Sequence, residues 1–175
     1  MPAAGSSVPP EIFKAYDIRG IVAHALTPQV TELIGQAIGS EARKRGQTAI
    51  AIGRDGRLSG PALSAALAHG IQAAGIDVID VGQVATPMLY FAAYHLGTLS
   101  GVAVTGSHNP PEYNGLKIVL GGETLAGDAI QALRTRIESG ALERGAGAYT
   151  TRDIREDYLS RIVSDVKLAR PLDIV

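Results

Sequence analysis

The chain has 175 residues, of which 46% are hydrophobic and 19% are charged, and its net charge is −1 at neutral pH. This composition supplies enough apolar side chains for a folded core of about one domain and excludes an intrinsically disordered chain. The small net charge gives no reason to expect nucleic acid or an anionic membrane as a partner, although a small anionic ligand needs only a few local donors.

The sequence contains no cysteine, which excludes disulfides, thiolate metal sites and cysteine nucleophiles and favours a reducing, cytoplasmic location. No apolar run in the sequence reaches the roughly 20 residues of a membrane span. Residues 1–10 are rich in alanine, serine and proline and lack the basic and apolar regions of a signal peptide. They are interpreted as a loose tail, so the folded domain is expected to begin at residue 11.

Helix signals recur along the chain from residue 12 onward. Thr27 followed by Pro28 predicts a helix start, and Gly46 predicts the end of that helix. Pro61 predicts the start of a second helix, and the dipeptide Thr86-Pro87 repeats the cap-plus-proline signal for a third. A fourth helical stripe is formed by Ala126, Ile130, Leu133 and Ile137.

Short apolar runs between these helices predict strands at residues 48–52, 76–81, 101–104 and 116–120. Because these strands are nearly all apolar, helices are expected to cover both faces of their sheet. The last two strands follow one another without an intervening helix, which predicts at least one antiparallel pair. The fold class predicted is therefore α/β, a three-layer α/β/α sandwich with a mixed, mainly parallel sheet.

The Gly/Ala-rich segment 140–147 is predicted to end this domain, which then covers residues 11–147. A further helical stripe follows, and residues 170–175 look like the start of a strand. Residues 148–175 are therefore interpreted as a linker helix and the first strand of an incomplete second domain, which suggests a fragment of a longer protein.

The clearest candidate site is the segment 105–111, which follows the apolar strand 101–104. Ligand sites in α/β sheets lie where strands end. Gly106 allows close backbone approach or a positive φ, while His108 and Asn109 add hydrogen-bond donors suited to a phosphate. This pattern favours a phosphoryl-transfer site at Ser107. A polar turn that uses the same residues for geometry alone is the alternative.

Two other clusters accompany this segment. In residues 13–20, Arg19 before Gly20 suits a bidentate phosphate contact, although a strand with its charges facing water is equally plausible. In residues 53–61, a helix N-terminus could bind an anion, but a role for Arg54 and Asp55 in bracing their loop is preferred. Lys117 could act as a base only if a neighbouring cation or burial favoured its neutral form.

Together, the segments Phe13 to Gly20, Gly53 to Arg57 and Thr105 to Lys117 (TGSHNPPEYNGLK) resemble the α-D-phosphohexomutase family, in the family's order. The resemblance covers residues 11–175 and is closest to the bacterial phosphomannomutase/phosphoglucomutase branch. It implies a reversible isomerase that moves phosphate between the 1- and 6-positions of a hexose through a bisphosphorylated sugar.

The resemblance also implies roles for individual residues. Ser107 is expected to be the phosphoserine that donates its phosphoryl group and later recovers one. Lys117 matches the general base, and Arg19 matches a residue that supports this base electrostatically. The remaining matches are His108, expected to take part in catalysis, and Tyr16 and Asn109, expected to bind the substrate.

A Mg²⁺ ion bridges the phosphoserine in this family, so Ser107 is expected to contribute one oxygen ligand through its phosphate. The other metal ligands come from an aspartate-rich loop of the second domain, of the form Asp-Gly-Asp-Gly-Asp, which this sequence lacks. Family members have four domains. The resemblance therefore implies that the chain corresponds to the first domain, that the remaining domains are its partners, and that it has little or no mutase activity alone.

The sequence is also compatible with two functions of other classes. A stand-alone module that binds sugar phosphates without turning them over would reuse the same fold. A serine hydrolase is disfavoured because the sequence has no Gly-x-Ser-x-Gly elbow. The choice between mannose and glucose phosphates remains open at this stage.

Overall fold

The computed structural model describes residues 7–170, in which a short 3-10 helix (Pro10–Ile12) is followed by seven strands and five helices. The strands are β1 (Ile18–Ile21), β2 (Ala49–Arg54), β3 (Asp77–Gln83), β4 (Gly101–Val104), β5 (Tyr113–Leu120), β6 (Glu123–Thr124) and β7 (Tyr149–Thr151). The helices are α1 (Pro28–Lys44), α2 (Gly60–Ala73), α3 (Thr86–His95), α4 (Asp128–Glu138) and α5 (Arg155–Asp165). Within this part of the chain, none of the helices combines the length and apolar character that a membrane crossing requires.

The strands form one mixed sheet in the order β1-β5-β4-β2-β3-β7, with β6 beside β5. β4, β2, β3 and β7 pair in parallel, whereas β5 pairs antiparallel with β1, β4 and β6. Among the described strands, only β5 therefore runs against the others. This arrangement confirms the predicted mixed, mainly parallel sheet.

Helices cover both faces of the sheet, as the three-layer prediction requires. On one face, Ile50 and Ile52 of β2 pack in a core with buried side chains of α1, α2 and α4. On the other face, Ala51 packs with buried side chains of α3 and with Ile154, next to α5. Successive residues of β2 thus alternate between two apolar cores, which is why the strand sequence is apolar throughout.

The observed starts of α1 and α3 show which local sequence signals predicted a helix start correctly. Thr27 caps α1 as predicted, because its Oγ1 accepts a hydrogen bond from the Val30 N–H at 3.2 Å. In α3, Thr86 is instead the first helical residue, and the cap position is Ala85 without a side-chain hydrogen bond. The proline is the first residue of α1 and the second residue of α3, so it located both helix starts, but of the two threonines only Thr27 acts as a cap.

Helices α1 and α2 approach each other closely at small residues. A Cβ added to Gly35 would lie 2.4 Å from the Leu67 carbonyl oxygen, and one added to Gly39 would lie 2.8 Å from the Ala74 Cβ. A Cβ added to Gly70 would lie 2.0 Å from the carbonyl oxygen of Glu32. The backbones of the two helices thus pack directly against each other, with no room for a side chain at these positions.

The edges of the domain differ from the sequence expectation. Val8 is only 2% exposed and packs into the main core, so residues 7–10 belong to the folded domain and not to a loose tail. At the other end, β7 pairs with β3 and extends the sheet beyond the predicted boundary at residue 147. Residues 1–6 of the predicted tail and residues 171–175 of the predicted strand lie outside the described residues.

A half-buried carboxylate, that of Glu41, ties α1 to α4. The Oε2 atom of Glu41 accepts a hydrogen bond from Arg136 Nη2 at 2.9 Å, and its Oε1 atom accepts one from Arg45 Nε at 3.0 Å. Burial by itself would raise the pKa of the Glu41 carboxyl, but the hydrogen bonds from the two arginines outweigh it and hold the pKa below its ordinary value of 4.5.

The change Glu41→Gln is expected to lower the free energy of unfolding by about 1–3 kcal/mol at neutral pH, because both arginines lose a charged acceptor. A carboxyl with a lowered pKa contributes stability above its unfolded pKa and loses that contribution as the pH falls through its folded pKa. The difference between variant and wild type should therefore shrink below pH 4.5. Urea unfolding at a series of pH values measures this. Asp165→Asn, at the exposed ion pair of Asp165 with Arg161 within α5, is the control that should change little.

Candidate active site

The segment 105–111, here called the Ser107 loop, connects the end of β4 to β5. Ser107 is exposed and has a φ of 51°, in the left-handed region that residues other than glycine rarely adopt. Its N–H donates to Thr105 Oγ1 at 2.9 Å, and its Oγ lies 3.3 Å from Nδ1 of His108. The loop therefore presents the Ser107 hydroxyl to solvent beside an imidazole.

Gly106 plays a different part from the one expected of it. The positive φ belongs to Ser107, whereas a Cβ added to Gly106 would lie 2.0 Å from Nε of Arg57. The absence of a side chain at Gly106 thus makes room for a guanidinium group that lies directly against the backbone.

A charged cluster lies on β1 and β5, next to this loop. The Asp17 carboxylate is 3.8 Å from Arg19 Nε through one oxygen and 3.6 Å from Lys117 Nζ through the other. The register explains this arrangement: Arg19 pairs with Gly115, and Lys117 lies two residues further along the same face of β5. The two cations therefore share one carboxylate, which is only 16% exposed.

Arg19 connects this cluster to the Ser107 loop. Its Nη1 donates to Oδ1 of Asn109 at 3.3 Å, and Nδ2 of Asn109 donates to the Gly106 carbonyl at 2.9 Å. Lys117, Asp17, Arg19 and Asn109 thus form a continuous chain of polar contacts that ends in the loop.

The structure brings most of the sequence-predicted residues to one place. Ser107, His108 and Asn109 share the loop, and Arg19 contacts Asn109. Among residues 7–170, Lys117 makes no hydrogen bond to Ser107. It is connected to the loop through Asp17, which also contacts Arg19. Tyr16 lies beside Asp17 in the chain and is 77% exposed, so its side chain is free to contact a ligand from solvent.

Arg57 is the residue that sequence reasoning missed. Its Nη1 donates to the carbonyl oxygens of Pro110 and Tyr113 at 2.6 and 2.9 Å. Its Nη2 donates to the carbonyl oxygens of Ser107 and Asn109 at 3.1 and 2.6 Å. The Arg57 guanidinium is therefore bound to the backbone of the Ser107 loop and to the start of β5.

Asp55 completes this contact. Its Oδ1 accepts from the Arg57 N–H at 3.0 Å, and its Oδ2 accepts from the Gly106 N–H at 3.1 Å and lies 3.5 Å from Arg57 Nε. The preferred structural role of Asp55 is thus confirmed, although what it braces is the Ser107 loop as well as its own. Arg54 pairs instead with Asp80 of β3 at 3.5 Å. The sequence signal that could have found this pair is Asp-Gly-Arg directly after a buried strand, because an aspartate at such a turn binds the backbone N–H two residues on.

The described residues do not form a metal site by themselves. Within residues 7–170, no group of three or more histidine, aspartate or glutamate side chains converges in a way that could hold a metal ion. The donor set near Ser107 is instead rich in cations, which suits an anion such as a phosphate.

Comparisons with known proteins give matches along most of the chain. The family model of the phosphoglucomutase/phosphomannomutase α/β/α domain I matches residues 10–144. Phosphomannomutase/phosphoglucomutase of Pseudomonas aeruginosa is 51% identical over 173 residues, which is 99% of this chain and 37% of that protein. Phosphoglucomutase of Neisseria meningitidis serogroup B is 52% identical over 171 residues, or 97% of this chain and 37% of that protein.

A solved structure from Burkholderia thailandensis, described as a phosphoglucomutase/phosphomannomutase family protein, has a TM-score of 0.91 and 50% sequence identity. The match covers 95% of this chain and 38% of that one. The chain therefore spans little more than a third of the length of the relatives that it matches.

Proposed function

The chain belongs to the phosphoglucomutase/phosphomannomutase family as its α/β/α domain I, and from this membership we propose that Ser107 is the phosphoserine of a hexose-phosphate mutase. The family resemblance of the three sequence segments is confirmed by the same match. Because the relatives are named phosphomannomutase and phosphoglucomutase, the proposed substrates are mannose and glucose phosphates, interconverted between their 1- and 6-phosphates.

The observation that carries this proposal is the presentation of Ser107. Its hydroxyl is exposed at the end of a buried strand, on a loop held by Arg57 and linked to Arg19. Positioning and electrostatic stabilisation account for most of the catalysis of phosphoryl transfer, so a fixed hydroxyl among cations suits this chemistry.

In the proposed reaction, the bond between the phosphorus and Ser107 Oγ breaks as a bond forms between that phosphorus and a sugar hydroxyl oxygen. The product is a bisphosphorylated hexose, whose other phosphate returns to Ser107 and regenerates the phosphoserine. Lys117 is proposed to accept the proton of the attacking sugar hydroxyl. His108, whose Nδ1 lies 3.3 Å from Ser107 Oγ, is proposed to supply a proton to the departing serine oxygen.

The remaining residues are proposed to bind and orient the substrate. Asn109 and the exposed phenol of Tyr16 offer hydrogen bonds to a sugar phosphate. Arg19 is proposed to support Lys117 by offsetting the negative charge of the Asp17 carboxylate, which lies between the two cations. A Mg²⁺ ion would neutralise negative charge on the transferring phosphoryl group. The described residues would give it only a phosphate oxygen on Ser107, so its other ligands are proposed to come from further domains.

The activity of the whole enzyme is tested best with a chimera, in which this chain replaces the matching 37% of the Pseudomonas aeruginosa relative. The chimera is expected to interconvert glucose 1-phosphate and glucose 6-phosphate, while the chain alone should show little or no turnover. Peptide mass spectrometry of the chimera, after incubation with glucose 1,6-bisphosphate, should locate phosphate on Ser107. Active chimera with phosphate at another residue would refute the phosphoserine proposal.

A stand-alone module that binds sugar phosphates without turnover remains the second candidate. The observation that favours it is that this domain by itself places Arg19 against the Ser107 loop and Lys117 across the shared Asp17 carboxylate. Calorimetric titration of the chain alone with glucose 6-phosphate distinguishes the two, because a module of this kind requires saturable binding without the other domains.

The change Lys117→Gln in the chimera is expected to lower kcat by about a hundredfold or more, because a positioned general acid or base contributes at least this much to proton transfer. Coupled assays of both hexose 1-phosphates measure the effect. Lys14→Gln is the matched control, since Lys14 is an exposed lysine of the neighbouring segment, outside the Asp17 cluster. Equal loss in both variants would show that Lys117 contributes only general charge.

A further inference from the structure

We propose that Arg57 and Asp55 form a positioning unit that sets the backbone conformation of the Ser107 loop and thereby the direction of the Ser107 hydroxyl. The inference rests on the proposed role of Ser107 and deepens it. Among the described residues, Arg57 and Asp55 bind the loop backbone and not the Ser107 hydroxyl, so their effect on the reaction passes through the loop.

The first argument is that the donors of the Arg57 guanidinium are fully used. Arginine has five N–H groups in a fixed planar fork. Four of them donate to backbone carbonyls, and the fifth, on Nε, faces the Asp55 carboxylate at 3.5 Å. None remains to bind a phosphate, so the function of this side chain lies in the loop that it holds.

The second argument concerns which carbonyl groups accept the hydrogen bonds of Arg57. Three of the four carbonyls belong to Ser107, Asn109 and Pro110, within the Ser107 loop itself. The fourth, on Tyr113, belongs to the first residue of β5. One rigid group thus fixes the loop relative to the strand that carries Lys117.

The third argument is the unfavourable conformation of Ser107. A residue other than glycine at positive φ costs on the order of 1 kcal/mol and persists only where its surroundings hold it. Arg57 binds the Ser107 carbonyl on one side, and Asp55 binds the preceding N–H of Gly106 on the other. The Arg57 guanidinium also occupies the space beside Gly106 that a Cβ would need, so it packs directly against the loop backbone.

A lysine at position 57 cannot replace Arg57 in this unit, although it keeps the positive charge. An ammonium group has three donors at one point and cannot reach carbonyls arranged around a planar fork. In the 175-residue chain, Arg57→Lys is therefore expected to raise the amide exchange rate at Gly106 and Asn109 about tenfold or more, because at least one net hydrogen bond is lost. Asp55→Asn should raise the exchange rate at Gly106, since its N–H then donates to a neutral acceptor.

The matched control is Arg43→Lys, because Arg43 also donates to backbone carbonyls, those of Ala74 and Arg144, far from this loop. Exchange at Gly106 should not change in that variant. In Arg57→Ala, added guanidinium at millimolar concentration should restore part of the protection at Gly106, which a general loss of stability would not allow. Thermal unfolding of each variant identifies any that fails to fold. If Arg57→Ala does not fold, amide exchange in Arg57→Lys decides the test.

The same variants in the chimera separate positioning from structure. Arg57→Lys should lower kcat about tenfold or more with little change in KM, because the phosphoryl group is presented at the wrong angle while substrate contacts persist. Wild-type exchange rates at Gly106 in Arg57→Lys would overturn the positioning unit, whether or not Ser107 carries phosphate. An inactive wild-type chimera would instead overturn the proposed function and leave the positioning unit to be judged by exchange alone.

Discussion

Replacing Ser107 with alanine in the chimera is expected to abolish mutase turnover and phosphate incorporation, with a loss of about ten-thousandfold or more, because the proposed carrier of the phosphoryl group is removed. The fold should be unaffected, since the Ser107 side chain is exposed and its Oγ contacts only His108 among the described residues. The measurement is a coupled assay combined with peptide mass spectrometry after incubation with glucose 1,6-bisphosphate.

The control for this prediction is Ser139→Ala, at an exposed serine that follows α4. This variant should keep both turnover and one phosphate per chain. Substantial turnover by Ser107→Ala in an otherwise active chimera would mean that the phosphate passes directly between sugars or through another residue. That result would exclude the phosphoserine role.

The change Gly70→Ala in the chain is expected to lower the free energy of unfolding by about 3 kcal/mol or more, the largest stability effect that we expect from a single methyl group here. A Cβ at Gly70 would lie 2.0 Å from the Glu32 carbonyl oxygen and 2.8 Å from the Gln36 nitrogen, both backbone atoms of α1. The two helices would have to separate, which opens the core beneath them. Alanine favours an isolated helix over glycine by about 1 kcal/mol, so local propensity predicts the opposite sign.

Gly60→Ala supplies the internal comparison, because Gly60 begins the same helix and a Cβ there would be 3.5 Å from its nearest neighbours. It should leave stability unchanged or slightly raised. Thermal unfolding should show Gly70→Ala melting lower than wild type by about 6 °C or more. If both variants unfolded alike, the close helix contact would not be present in solution.

The fold class could be predicted from the sequence because its cause is local. Apolar strands such as 101–104 and helix starts such as Thr27-Pro28 follow from side-chain pattern and backbone chemistry. The pairing of Tyr113, Asn114 and Gly115 with β1 was not predictable in this way, since these residues form no apolar run and join the sheet through a distant partner. The same holds for β7, a short exposed strand that pairs only at the sheet edge.

The candidate site was predictable to the extent that its residues are close in sequence. Ser107, His108 and Asn109 occur together, and the resemblance added Arg19 and Lys117. The carboxylate of Asp17 between the two cations depends on strand register, which no short motif encodes. The role of Arg57 depends on where four carbonyl groups point, and that is a property of the folded loop alone.

The position of β1 has a consequence for the order of folding. Arg19 and Asn109 are 90 residues apart in the chain, and among the described strands β1 pairs with β5 alone. Contacts of such high sequence separation require a large loop-closure entropy, so they tend to form after local helix and strand units. We therefore expect the parallel strands and their helices to associate first and the first strand to dock last. Protection of the Ile18 amide against pulsed hydrogen exchange during refolding should appear after that of Ile50, so Arg19 should reach Asn109 of the Ser107 loop only at the final step of folding.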